Sequence, residues 1–127
     1  MTLPSKMRAV EIVKPGGPEV LVPGERPLPT PKPNEILVKV AAAGVNRPDL
    51  LQRQGLYAVP PDASDLPGLE IAGEVVACGA QASRGKVGDK VCALAHGGGY
   101  AEYCVVPEVQ AVLARMANLE HQIEVGK

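Results

Sequence analysis

Five of the chain's 13 prolines fall in the stretch PGERPLPTPKP, Pro23 to Pro33, and no other feature limits the fold so firmly. Each proline fixes φ and removes a backbone donor, so the run can be neither a helix nor an interior strand. It must cross the surface as an extended edge segment. Fourteen glycines join these prolines without any repeating period, a pattern of tight turns between short strands rather than long helices. A mainly β fold is the expectation.

At 127 residues the chain suits one domain with one core. It has no Trp, no Phe and only three Tyr, so a core must be assembled from Val, Leu, Ile and Ala. Thirteen basic residues against 14 acidic ones give a net charge of −1, and no Lys/Arg block forms a stripe that could track phosphates. Nucleic acid is therefore not an expected partner. The opening MTLPSKMRAV has no apolar leader region, and no run approaches the ~18 apolar residues of a membrane span. Three cysteines, Cys78, Cys92 and Cys104, sit in apolar runs without a CxxC pair. Buried free thiols in a reducing cytoplasm, away from membranes, are expected.

Along the chain, MRAVEIVK (Met7 to Lys14) alternates as a strand, and EILVKVAAAG (Glu35 to Gly44) is apolar enough for a strand buried on both faces. A short helix near Arg47–Gln54 follows. Asn46 suits its N-cap, Pro48 its first turn, Asp49 its third position and Gly55 its end. YAVPPDASDLPG is a loop long enough to lie over something. LEIAGEVVACG is a strand in which Gly73 marks a bulge or a close backbone approach. GKVGDKVCAL, GGGYAEYCVV and VQAVLA supply further strands. Six or so strands separated by turns read as a partly open barrel over residues 1–113. From Leu113 to His121 the texture changes to helix, giving a helical tail over residues 114–127.

Most chemistries lack their signatures. Gly97 to Gly99 could cradle an anion, but YAEYCVV after them alternates as a strand, whereas a nucleotide loop must open a helix; a hairpin turn is the simpler reading. His96 and His121 lie 25 positions apart with no ligand-spaced partner, so no metal is expected. Ser5, Ser64 and Ser83 lack GxSxG and a nearby His, and Asp62 and Asp65 read as solvated loop charges. What remains is neutral hydrogen bonding. Asn46 sits where a strand delivers the chain to a helix N-terminus, so its amide could polarise a carbonyl or could simply cap the helix. Tyr57 could donate its hydroxyl to the same oxygen or merely anchor the loop. Arg47 and Gln52 read as exposed helix residues. Glu70, in its apolar strand, is either a paired buried acid or a group supporting the site.

Taken in order, AAAGVNRPDLLQRQGLY, PGLEIAGEVVACG, VGDKVCAL and GGGYAEYCVVP resemble the GroES-like catalytic domain of medium-chain dehydrogenase/reductases. The likeness runs from about Met7 to Leu113. It is strongest to the zinc-free NADPH:quinone oxidoreductase branch, particularly its p53-inducible type. In zinc-dependent relatives a cysteine ligand falls at the position of Asn46 and a histidine ligand at that of Leu69; neither is present here, and no zinc is implied. The resemblance implies hydride transfer from NADPH to a quinone or enone, with Asn46 and Tyr57 matching the donors that face the oxygen gaining charge. Asn46 would keep a residual cofactor contact. Relatives of this kind are more than twice as long, with a Rossmann domain following the barrel. The expectation is thus a truncated or excised substrate-side catalytic domain, weak or inactive alone. It would bind NADPH poorly and could associate with itself through the surface that the Rossmann domain would cover. A non-catalytic GroES-like structural or dimerising module is the alternative.

Overall fold

The computed structural model describes residues 2–113. The expected C-terminal helix and the 114–127 tail lie outside the described residues, except that Leu113 itself closes the last strand.

Among the described residues, seven strands form two sheets. β1 (Lys6–Ile12) and β2 (Leu21–Pro27) make an antiparallel pair. A five-stranded sheet runs in the order β6 (Tyr103–Pro107), β3 (Glu35–Ala43), β4 (Glu70–Cys78), β5 (Lys90–Leu94), β7 (Ala111–Leu113). The proline run behaves as its chemistry requires. Pro23 and Pro27 stand in β2, whose only ladder partner among the described residues is β1, and the chain then leaves the sheet until Glu35. The sheets meet where the Val10 N–H donates to the Tyr100 carbonyl and the Glu102 N–H to the Arg8 carbonyl, with a single bridge between Ala9 and Ala101. One such seam leaves the barrel partly open.

β3 is the central strand, held by β4 on one side and β6 on the other. Its burial is less complete than its composition implies. Ile36, Leu37 and Val38 are buried in succession, so both faces are covered there, but Lys39, Ala41 and Ala42 are exposed. Gly73 is a close backbone approach: a Cβ on it would strike the Lys39 carbonyl of β3. The bulges fall in the β3–β4 register instead, at Leu37/Val38 and Val40/Ala42.

The main core is aliphatic as composition demands, with Ile36, Val38, Ile71, Val75, Val91 and Val106 at its centre. Each such side chain is worth about 1.5–3 kcal/mol when fully buried. A smaller cluster shows what the long loop lies over: Leu66 packs with Met7 and Ala9 of the first sheet, and Pro67 and Gly68 beside it are buried as well.

Two expectations are corrected. Cys104 is buried and Cys78 half-buried, but Cys92 is exposed, because the two-residue period that turns Val91 and Ala93 into the core turns Cys92 outward. Burial, with the nearby Glu35 charge adding, pushes the Cys104 thiol up to about 12. The Gly97–Gly99 segment is a turn but not a hairpin: β5 pairs with β4 and β7 while β6 pairs with β3, so the glycines carry a crossover.

Candidate active site

The helix α1 (Arg47–Arg53) leaves β3 through Gly44, Val45 and Asn46. Asn46 has extended backbone angles, as an N-cap requires. The Asp49 carboxylate turns back to accept from the Asn46 N–H at 2.9 Å, while the Asp49 N–H donates to the Asn46 carbonyl at 3.0 Å. At the other end Gly55 takes φ +80°, and the Leu56 N–H reaches the Leu51 carbonyl at 2.8 Å, closing the helix with a left-handed turn. Three tethers then fix α1. Arg53 Nε donates to the Gly16 carbonyl at 3.2 Å, Gly16 N–H to the Arg53 carbonyl at 3.0 Å, and Gln52 Nε2 to the Asp65 carbonyl at 3.0 Å.

The Asn46 side chain also reaches beyond the helix it caps. Its Nδ2 donates to Glu70 Oε1 at 3.2 Å. A carboxylate can only accept, which places the amide nitrogen on Glu70's side. Glu70, expected as a paired buried acid or a supporting group, is exposed rather than buried, and it is paired with the candidate residue. Tyr57 lies four residues beyond the end of α1, half-buried, and its hydroxyl takes no hydrogen bond from the described residues. Asn46 is thus joined to Glu70 and Asp49, whereas Tyr57 stands apart from that network. Arg47 is exposed as expected, but Gln52 is half-buried and acts as a tether.

Two further residues take part in this junction. Asp49 is only 4% exposed, and Tyr100, 51 positions away, donates its hydroxyl to Asp49 Oδ2 at 2.8 Å. Burial first, then the bond to Asp49, raise the Tyr100 phenol above its ordinary range, so it remains a donor. Asp49 Oδ1 is buried and takes no hydrogen bond from the described residues. The polar spacing Asn46-x-x-Asp49 does announce a bond between Asp49 and the Asn46 backbone; nothing local announces Tyr100. Asp65 also departs from expectation. It is not a free loop charge but holds Arg26 through two bonds of 2.8 and 2.9 Å, with Glu11 on the same guanidinium at 2.7 Å.

An open groove of about 430 Å³ runs beside this network, walled by Val40, Ala42, Ala43, Gly99 and Tyr100. A second cleft, about 300 Å³, is lined by Met7, Leu28, Leu66 and Cys104 and includes neither Asn46 nor Tyr57. Among the described residues no group of three or more His, Cys, Asp or Glu is arranged to hold a metal ion. Among the described residues, a dinucleotide does not fit the strand-to-helix junction that opens α1. Only one glycine precedes α1, the helix has seven residues, and the Asp49 carboxylate already occupies the place a phosphate would need.

Residues 32–116 match the family described as alcohol dehydrogenase GroES-like domain. The chain is 40% identical over 104 residues to a quinone oxidoreductase of Sus scrofa, covering 80% of this chain and 32% of that protein. Among solved structures, the human synaptic vesicle membrane protein VAT-1 homolog-like protein superposes with a TM-score of 0.80 at 32% identity, over 87% of this chain and 36% of that one. A mycobacterial protein complexed with NADPH gives 0.74 at 34% identity, over 87% and 33% respectively. The chain belongs to the GroES-like domain family of the medium-chain dehydrogenase/reductases, close to the quinone oxidoreductases and without the zinc-binding motif. It spans about a third of the length of the relatives it matches.

Proposed function

We propose that residues 1–113 are the substrate-side catalytic domain of an NADPH-dependent quinone oxidoreductase, residues 114–127 forming a tail outside it. The observation that carries this reading is the Asn46 side-chain amide, held by Glu70 at the junction of β3 and α1, where Asp49 accepts from the Asn46 backbone N–H. An amide so fixed has a second N–H left for an oxygen that gains negative charge as a quinone or enone is reduced. The Tyr57 hydroxyl, engaged by no described residue, is the second donor to that oxygen. Each such donor is worth on the order of a few kcal/mol of transition-state stabilisation when charge develops away from water.

These residues offer no cradle for the pyrophosphate of NADPH, so by itself the chain is weak or inactive as a reductase. Its free thiols favour a reducing, cytoplasmic location. Calorimetric titration of the 127-residue chain with 1,4-naphthoquinone and with NADPH tests the reading. Weak quinone binding, reduced several-fold in Asn46→Ala and Tyr57→Phe, is expected, with no measurable NADPH binding. Tight NADPH binding, or quinone binding indifferent to both substitutions, would count against it.

A second reading, a dimerising module without catalysis, is favoured by one observation. Cys92, Leu94 and Val112 share the outer face of the five-stranded sheet, Leu94 being 59% and Val112 69% exposed.

A further inference from the structure

We infer that Glu70 is the positioning residue for Asn46, and that Gly44 is present to give it room. The inference rests on the proposed role of Asn46 and extends it to what holds the amide still. A free asparagine side chain turns about χ1 and χ2, and a donor that must be reoriented when charge develops loses much of its value. Here the backbone of Asn46 is fixed by Asp49, which the Tyr100 hydroxyl fixes in turn. The side-chain torsions remain, and the bond from Nδ2 to Glu70 Oε1 at 3.2 Å fixes the direction of the amide nitrogen.

Glu70 can lie across the end of β3 because Gly44 has no side chain. The Gly44 N–H donates to the Glu70 carbonyl at 2.9 Å, which places the two residues face to face, and a Cβ on Gly44 would overlap the Glu70 carboxylate. Gly44 does not have positive φ, so its backbone gives no separate reason for glycine. The atoms a methyl group would meet are the far end of a flexible side chain. Gly44→Ala should therefore fold normally while pushing the carboxylate off Asn46, disrupting the pair without altering a polar group.

Glu70 is also a negative charge beside an amide meant to face a developing anion. Two roles make opposite demands on Glu70→Gln. If orientation is what matters, the glutamine carbonyl oxygen still accepts from Asn46 and the variant behaves as the parent does. If the charge matters, Glu70→Gln and Glu70→Ala change together.

The side-chain amide of Asn46, followed by ¹H–¹⁵N correlation in the full chain, reports orientation directly. Two well-separated, slowly exchanging Asn46 amide protons are expected in the parent and in Glu70→Gln. In Glu70→Ala and Gly44→Ala they should collapse towards free-amide values while the backbone spectrum stays dispersed. Addition of 1,4-naphthoquinone should shift the Asn46 pair in the parent and in Glu70→Gln, and lose most of that effect in the other two. Asn46 signals unchanged by Gly44→Ala and Glu70→Ala would overturn the inference, as would signals lost equally in Glu70→Gln. An intact amide signature that ignores naphthoquinone would sink the quinone reading and leave the Glu70–Asn46 coupling standing.

Discussion

Asp49 illustrates how much of this molecule turns on single polar atoms. Its carboxylate is 4% exposed and accepts from both the Asn46 N–H and the Tyr100 hydroxyl through one oxygen. Removing the phenol would leave a buried acceptor with a lost donor, at a cost of about 1–3 kcal/mol. Tyr100→Phe should lower the urea midpoint accordingly without changing the slope of the transition. It should also broaden the Asn46 backbone amide signal, because the carboxylate that holds that amide loses its own support. A Tyr100→Phe protein as stable as the parent would show that Asp49 is satisfied some other way. The residue types here were legible and their partners were not: Asn46 reads as a cap, yet its amide goes to Glu70, 24 positions on.

At the scale of elements, the helix α1 is too short for its own hydrogen bonds to hold it, since nucleation costs are recovered only over longer runs. Packing and tethers must supply the difference. One tether runs through the loop: Gln52 binds the Asp65 carbonyl, and the Asp65 side chain binds Arg26 of β2. The hydrogen bond from Arg26 holds the Asp65 carboxyl below its ordinary range. A carboxylate depressed in the fold binds fewer protons folded than unfolded. Its stabilisation is complete above the unfolded pKa and is lost as pH falls through the folded one. Because the Asp65 side chain is 73% exposed, the pair is worth at most about 1 kcal/mol. Asp65→Asn should therefore destabilise slightly at neutral pH, with the difference from the parent vanishing in acid and in high salt. Urea titrations at several pH values check this, and a gap that persists in acid would mean that the loop geometry matters rather than the charge. The loop's length announced that it covers something; that its acid meets Arg26, 39 positions earlier, did not follow from any local pattern.

For the whole molecule, the open question is what the outer face of the five-stranded sheet meets. Cys92 and Val112 are opposite one another across β5 and β7, Ala72 stands beside Cys92 on β4, and Leu94 extends the row. A recess of about 470 Å³ beside this row is lined by Ala72 and Cys92 together with Val40, Ala41, Lys39, Glu74 and Lys90. Exposed apolar patches of this kind favour association. Light scattering over a concentration series should show the apparent mass rising, and Val112→Lys with Leu94→Lys should flatten the curve. A monomer at every concentration would remove the dimerising reading while leaving the catalytic one untouched. No helix among the described residues is long and apolar enough to cross a membrane.

The sequence by itself determined the elements. Prolines assigned Pro23 to Pro33 to an extended edge segment, an Asn46–Gly55 frame bounded the helix, and aliphatic runs without Trp or Phe dictated a core of small branched side chains. These are local matters of torsion, capping and composition, which a chain carries wherever it folds. Only the tertiary structure decided that the glycine turn crosses between strands, that Cys92 faces outward and that Glu70 and Tyr100 converge on the Asn46 junction. Pairing partners are chosen by the closure of the sheets, and a hydrogen bond between residues dozens of positions apart has no signature until that closure brings them together.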